Sequence, residues 1–145
     1  MDRKFLRGVW LAFPAIAALL SCSCGSVTQD RTIAQLAVSE FHSQLDSARY
    51  DAVYAAAGPK FHDITTEADL TKLLDAVHRK LGTVKQANLL NWKMAWYTGQ
   101  GETVDLTYAI TFSAGSGKEE FLWHIDNHRA LLYGYHINSV DLIEK

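Results

Sequence analysis

Beyond residue 24 the chain has no cysteine; its two cysteines, Cys22 and Cys24, both lie near the N-terminus. No disulfide can staple the folded part, and no thiolate nucleophile is available there. Basic charge is also scarce. Without the first 21 residues, 124 remain, with 11 basic and 15 acidic side chains and a net charge of −4. Nucleic-acid binding, which needs a basic stripe, is excluded as an expectation. So is a polybasic hold on anionic lipid. Long apolar runs are missing as well. The longest uncharged stretch of this kind, Val9 to Leu20, has 12 residues, against the roughly 20 that a membrane-spanning helix requires. Finally, no metal, nucleotide or nucleophile motif stands out, and no cofactor is expected. Ser113-Ala114-Gly115-Ser116-Gly117-Lys118 lacks the spacing of a phosphate loop and leads into a strand, not a helix.

What is present begins with an address. Arg3, Lys4 and Arg7 precede the apolar stretch, which is interrupted by Pro14. This is the layout of a secretory signal. It ends on Leu19-Leu20-Ser21-Cys22, which resembles the lipobox of bacterial lipoproteins. Cys24, after Ser21-Cys22-Ser23, is a poorer fit. The resemblance implies cleavage before Cys22, a diacylglyceryl group on its sulfur, palmitate-like acyl chains and a membrane anchor. The expected location is the exported side of a bacterial membrane, the outer membrane if the cell is Gram-negative. An ordinary cleaved signal and an uncleaved N-terminal helix are the competing readings. The expected organisation is a signal over 1–21, a lipidated tether over 22–31 and one domain over 32–145.

Within that domain the hydrophobic period is first helical. Ile33, Leu36, Ala37, Phe41 and Leu45 predict one apolar helix face, and Tyr50, Val53 and Tyr54 a shorter helix ended by Gly58-Pro59. Phe61 is expected on a connecting segment. Leu70, Leu73, Leu74, Val77 and Leu81 form the cleanest stripe. Thr66 is its expected N-cap, Glu67 and Asp69 suit its first turn, and Gly82 is its stop.

From Val84 the period becomes two. Strands are predicted at Val84–Tyr97, around Val104–Phe112, around Phe121–Ile125 and over Leu131–Leu142, joined by tight turns. Three helices followed by a four-stranded meander predict an α+β fold, with N-terminal helices packed on a curved antiparallel sheet as a cone or roll. This order, with Phe41, Leu45, the Tyr50–Tyr54 segment, Leu81-Gly82, the Val104–Phe112 strand and the aromatic last strand, resembles the nuclear-transport-factor-2-like, cystatin-like superfamily. The resemblance implies a cone with an internal pocket and frequent dimers through the outer sheet face. It implies no single function, because the fold hosts isomerases, dehydratases, binding modules and accessory domains.

The candidate pocket residues are Trp92, Trp96, Tyr108, Trp123, Tyr133 and Tyr135, which suit an apolar ligand; the plainer reading is that these rings fill the core. His124, Asp126 and His136 would form a metal or acid–base cluster if the register brought them together, but their parity places them opposite the apolar face. His62-Asp63 is a weaker loop pair, and His42 and His78 read as packed or rim histidines. The expected function is a membrane-anchored, non-enzymatic binding or accessory domain for a small apolar ligand or a protein partner. A homodimer through Thr103, Thr107 and Thr111 is expected. The alternative is an isomerase- or dehydratase-like enzyme in which a tyrosine such as Tyr108 or Tyr133 polarises a carbonyl and a nearby acid or histidine moves a proton.

Overall fold

The computed structural model describes residues 24–98 and 101–144; the leader and Cys22 lie outside the described residues. The architecture is α+β. Helices α1 (Cys24–Asp46), α2 (Tyr50–Ala55), α3 (Pro59–Ile64) and α4 (Glu67–Leu81) precede strands β1 (Val84–Tyr97), β2 (Gly101–Phe112), β3 (Ser116–Asp126) and β4 (Arg129–Asn138), and a short helix α5 (Val140–Glu144) follows. The sheet is an antiparallel meander in the order β1-β2-β3-β4.

The helix α4 forms as its sequence dictates. The Thr66 hydroxyl accepts from the Asp69 backbone N–H at 3.1 Å, filling one of the unpaired donors of the first turn. Its stripe of Leu70, Leu74, Val77 and Leu81 is buried in the hydrophobic core. Gly82 ends it at φ +80°, where a side chain would meet Ser113.

The helix α1 departs from its expected face. Leu36 is 65% exposed, and the buried stripe is Ala34, Val38, Phe41, His42 and Leu45, with Asp30 one turn earlier. The buried side carries two polar residues, so counting apolar positions rotates the expected stripe away from it. The helix also starts earlier than the period suggests: residues 24–31, read as a tether, are its first two turns.

Three further boundaries differ. Pro59–Ile64, expected as a connector, is a helical turn and a half with Pro59 at its start, where its missing N–H costs nothing. The strand β3 begins at Ser116, inside the expected turn. The last strand stops at Asn138 rather than Leu142: Ser139 is buried, and its Oγ accepts from the Leu142 N–H and donates to the Ser116 carbonyl, turning the chain into α5.

Register is tightly specified in the middle of the sheet. Val104, Leu106, Tyr108, Ile110 and Phe112 face the helices, as expected. The break in alternation at Leu89-Leu90 is a bulge: Leu89 pairs with Tyr108 and Asn91 with Thr107. A second bulge, between Leu122 and Trp123, puts Leu132 opposite Trp123 and leaves Tyr133 unpaired. The β3–β4 turn takes positive φ at both Asn127 and His128, the geometry that matches the twist of a two-residue hairpin.

Candidate functional site

The helix-covered side of the sheet holds one charged-type side chain in a place where the sequence suggested none. Glu119 is two residues before Phe121 and four before Trp123, so strand parity points all three inward. Its side chain is fully buried, at 0% exposure. Burying a carboxyl this deeply is costly unless its oxygens are satisfied, and both are. His42 on α1 donates from Nε2 to Oε2 at 2.6 Å, and the Tyr135 hydroxyl on β4 donates to Oε1 at 2.7 Å. Three elements distant in sequence thus meet at one carboxylate.

Aromatic rings wall this chain of bonds. Phe121 lies at its centre, edge-on to Phe41 at 5.1 Å and to His42 at 5.9 Å, tilted against Tyr135 at 5.3 Å, and stacked on Trp123 at 5.9 Å. Burial, and then the charge and hydrogen bond of Glu119, hold the Tyr135 hydroxyl well above the ordinary tyrosine value, so the phenol stays a donor. Burial also raises Tyr108. Chemically, the imidazole, carboxyl and phenol form a hydrogen-bonded line of the residue types used in acid–base catalysis. Equally, such a line fixes the position of α1 on the sheet.

The space around this line bears on both uses. A cavity of about 100 Å³ lies between α1, α2 and the sheet, bordered by Phe41, Gln44, Val53, Trp123 and Leu132. It does not include His42, Glu119 or Tyr135, and it is well below the roughly 300 Å³ of a small-molecule pocket. The Trp123 indole N–H beside it finds no acceptor among the described residues. A larger depression of about 490 Å³ opens on the other face of the sheet, over Lys93, Asp105, Thr107, Glu120, Leu122 and His136. There Lys93 pairs with Asp105 at 3.2 Å and Lys118 with Glu120 at 2.6 Å. The Lys118 hydrogen bond and charge hold Glu120 below the usual carboxylate range.

The six aromatic candidates therefore separate. Tyr108, Trp123 and Tyr135 converge on the interior around Phe121. Trp92 is partly exposed, with the Arg31 guanidinium 4.9 Å above its ring. Trp96 is 74% exposed. Tyr133, displaced by the bulge, stacks on His124 at 4.8 Å and abuts Gly58, rather than sharing the interior with Tyr135.

His124, Asp126 and His136 do not meet. His136 pairs with Glu120, four residues from His124 along β3, a separation of about 13 Å. His124 instead bonds the Glu102 carbonyl at 3.1 Å. No cluster able to hold a metal occurs among the described residues. His62 bonds the Tyr54 carbonyl at 2.9 Å and lies against the Tyr54 ring, leaving Asp63 out of the pair. Of the three threonines expected at a dimer face, Thr103 is buried, its hydroxyl donated to the Ala95 carbonyl.

The residue missed in the sequence is Glu119. Glu119 had a signal in its parity with Phe121 and Trp123, since an acid on an apolar strand face needs a donor. His42, read as a packed or rim histidine, is packed as expected; only its bond to a carboxyl was not foreseen. A second acidic site lies where β2 begins: Glu102 lies close to the buried Asp30, and burial, followed by the Asp30 charge, raises Glu102 above its ordinary value.

No protein-family model matches the chain, and no curated protein matches it. Among the described residues, no helix is long and apolar enough to cross a membrane.

Proposed function

We propose that this is a lipid-anchored envelope protein whose nuclear-transport-factor-2-like domain is a non-enzymatic binding module for a protein partner, met on the outer face of the sheet. The leader ending at Cys22 motivates the anchor, and one-signal anchoring by two or three acyl chains needs no spanning helix. The order of helices before a meander motivates the family reading. The observation that carries the binding role is the contrast between the two sheet faces. The interior is packed with rings around a satisfied carboxyl, and the cavity between α1, α2 and the sheet holds about 100 Å³, too little for a drug-sized ligand. The outer face offers an open depression of about 490 Å³ lined by both charged and apolar groups, among them Lys93, Asp105, Glu120 and Leu122.

The test is native mass spectrometry of the purified, lipidated protein. The expected result is a protein complex, or a homodimer, that Thr107→Arg disperses without lowering the thermal midpoint. A monomer free of any copurified partner overturns the reading.

One observation favours an enzyme instead: the imidazole–carboxyl–phenol line has the parts of a proton relay. In that reading Tyr135, rather than Tyr108 or Tyr133, is the phenol at work. Isomerisation of a small carbonyl compound that disappears in both Tyr135→Phe and Glu119→Gln would establish it.

A further inference from the structure

The two ends of the sheet differ in what they expose. At one end α5 presents Val140 and Ile143, held there by the Asp141 carboxylate on the Ser116 N–H. At the other end lie the β1–β2 and β3–β4 turns and the start of α1. Gln29 reaches His128, the Asp30 and Glu102 carboxyls lie close together, and the Arg31 guanidinium covers Trp92. The C-terminus of α1 is fixed at the far end by Asp46 accepting from the Val84 N–H. The helix therefore runs antiparallel to β1, and its first turns point the same way as the β1–β2 hairpin.

That hairpin is unusual. Met94-Ala95-Trp96-Tyr97-Thr98-Gly99-Gln100-Gly101 contains no charged residue. Trp96 is 74% exposed and Tyr97 46%. Trp96 sits opposite Glu102, whose carboxyl lies near that of Asp30, so it is level with the first buried turn of α1. From there Thr98 lies about 7 Å farther along the strand direction, and Cys24 about 9 Å farther along the helix. Chain length alone keeps Cys22 within about 7 Å of Cys24. A lipid on Cys22 would thus bring this end of the domain, and not the α5 end, to the bilayer.

We infer that the Trp96-Tyr97 hairpin tip is a membrane-interface contact, seating its rings at the headgroup level of the bilayer that holds the Cys22 lipid. The inference rests on the anchor proposed above. Indole and phenol rings favour this layer because each joins an apolar body to a polar N–H or O–H. The absence of charge on the tip removes the desolvation cost that would keep it in water. Val27, exposed on the first turns of α1, adds a third apolar group at the same end. The occupant is a lipid surface, because the chain's own anchor delivers one to this spot. Two contacts, lipid and hairpin, also orient the domain, so that the sheet stands away from the membrane rather than lying on it.

The experiment uses the full lipidated protein in phosphatidylcholine/phosphatidylglycerol vesicles, with and without lipid brominated high in the acyl chains. Tryptophan quenching by bromolipid is expected, falling about threefold in Trp96→Phe and little in Trp92→Phe, because only a ring at the interface meets the bromines. Trp96→Ser combined with Tyr97→Ser is expected to keep vesicle flotation, since the acyl chains hold the protein. Flotation with Trp96 open to aqueous iodide and untouched by bromolipid overturns the hairpin contact and leaves the anchor intact. Protection of Trp96 from both quenchers, with dimers captured by cross-linking, assigns the tip to a second copy and overturns it too. An unmodified Cys22 with no flotation removes anchor and contact together.

Discussion

Glu119 and Glu120 are neighbours on one strand, and each holds a partner at 2.6 Å, His42 and Lys118 respectively. Their physics is nonetheless opposite. Glu119 points inward and is wholly buried; the Glu120 side chain points outward and is about half exposed. Water screens the outer pair, so its attraction is close to balanced by hydration. Nothing replaces the inner bonds once broken, because the surroundings are Phe41, Phe121 and Tyr108. Bond length alone does not rank the two pairs; the alternative available to each group does.

The largest expected effect breaks the inner pair. Glu119→Ala strands the His42 N–H and the Tyr135 hydroxyl in the core and is expected to cost about 3–5 kcal/mol, read from urea midpoints. If the loss is under 1 kcal/mol, the line of bonds does not hold α1 to the sheet.

Next comes Tyr135→Phe, which keeps the ring and removes one bond to the carboxyl; a loss of about 1.5–3 kcal/mol is expected. It also carries a pH signature. The native tyrosine holds its proton to a higher pH than the unfolded chain, whose tyrosine titrates near 10.0. Above that value the folded state binds more protons, so stability falls as pH rises. Urea unfolding between pH 9 and 11 should show this decline in the wild type and a shallower one in Tyr135→Phe.

Glu102 supplies a smaller effect of the same sign at acid pH. Its native value is raised above 4.5, so its contribution to stability falls as pH rises through that window. Glu102→Gln is expected to be slightly more stable than wild type at pH 7, by about 0.5 kcal/mol, and equal to it at pH 4, by thermal melts. A variant less stable at pH 7 would mean that Asp30 relies on the Glu102 carboxylate.

The smallest effect closes the comparison. Glu120→Ala should change stability by less than about 0.5 kcal/mol, and the change should vanish in about 1 M salt. A loss equal to that of Glu119→Ala would erase the distinction between the faces.

Much of the fold was legible in the chain. The α4 stripe, its Thr66 cap and its Gly82 stop are local signals, and each is realised as read. The alternation of Val104 to Phe112 fixed the inward face of β2. The failures share one cause. Ser139 ends β4 through a bond to Ser116, 23 residues away; Tyr133 leaves the interior because of a bulge in its pairing with β3; the α1 face is rotated because His42 finds a partner on β3 and Asp30 is buried beside Glu102 of β2. In each case the deciding contact was non-local, and local hydrophobic counting treats a polar residue as outward.

The candidate site was less legible. The aromatic residues were visible by type, but only the tertiary structure separates Tyr108, Trp123 and Tyr135, which meet at Phe121, from Trp96 and Tyr133, which do not. The histidine set showed the reverse: correct parity, yet a register that holds His124 and His136 apart.

By itself, the sequence determined the class of structure and the order of its elements, because hydrophobic period, caps and turns act over a few residues. The tertiary structure alone decided which polar groups are buried, and so where the chemistry lies. Glu119 tolerates the core only because α1 and β4, 77 and 16 residues away, each deliver a donor to it. That satisfaction is a property of packing, and no local pattern encodes it.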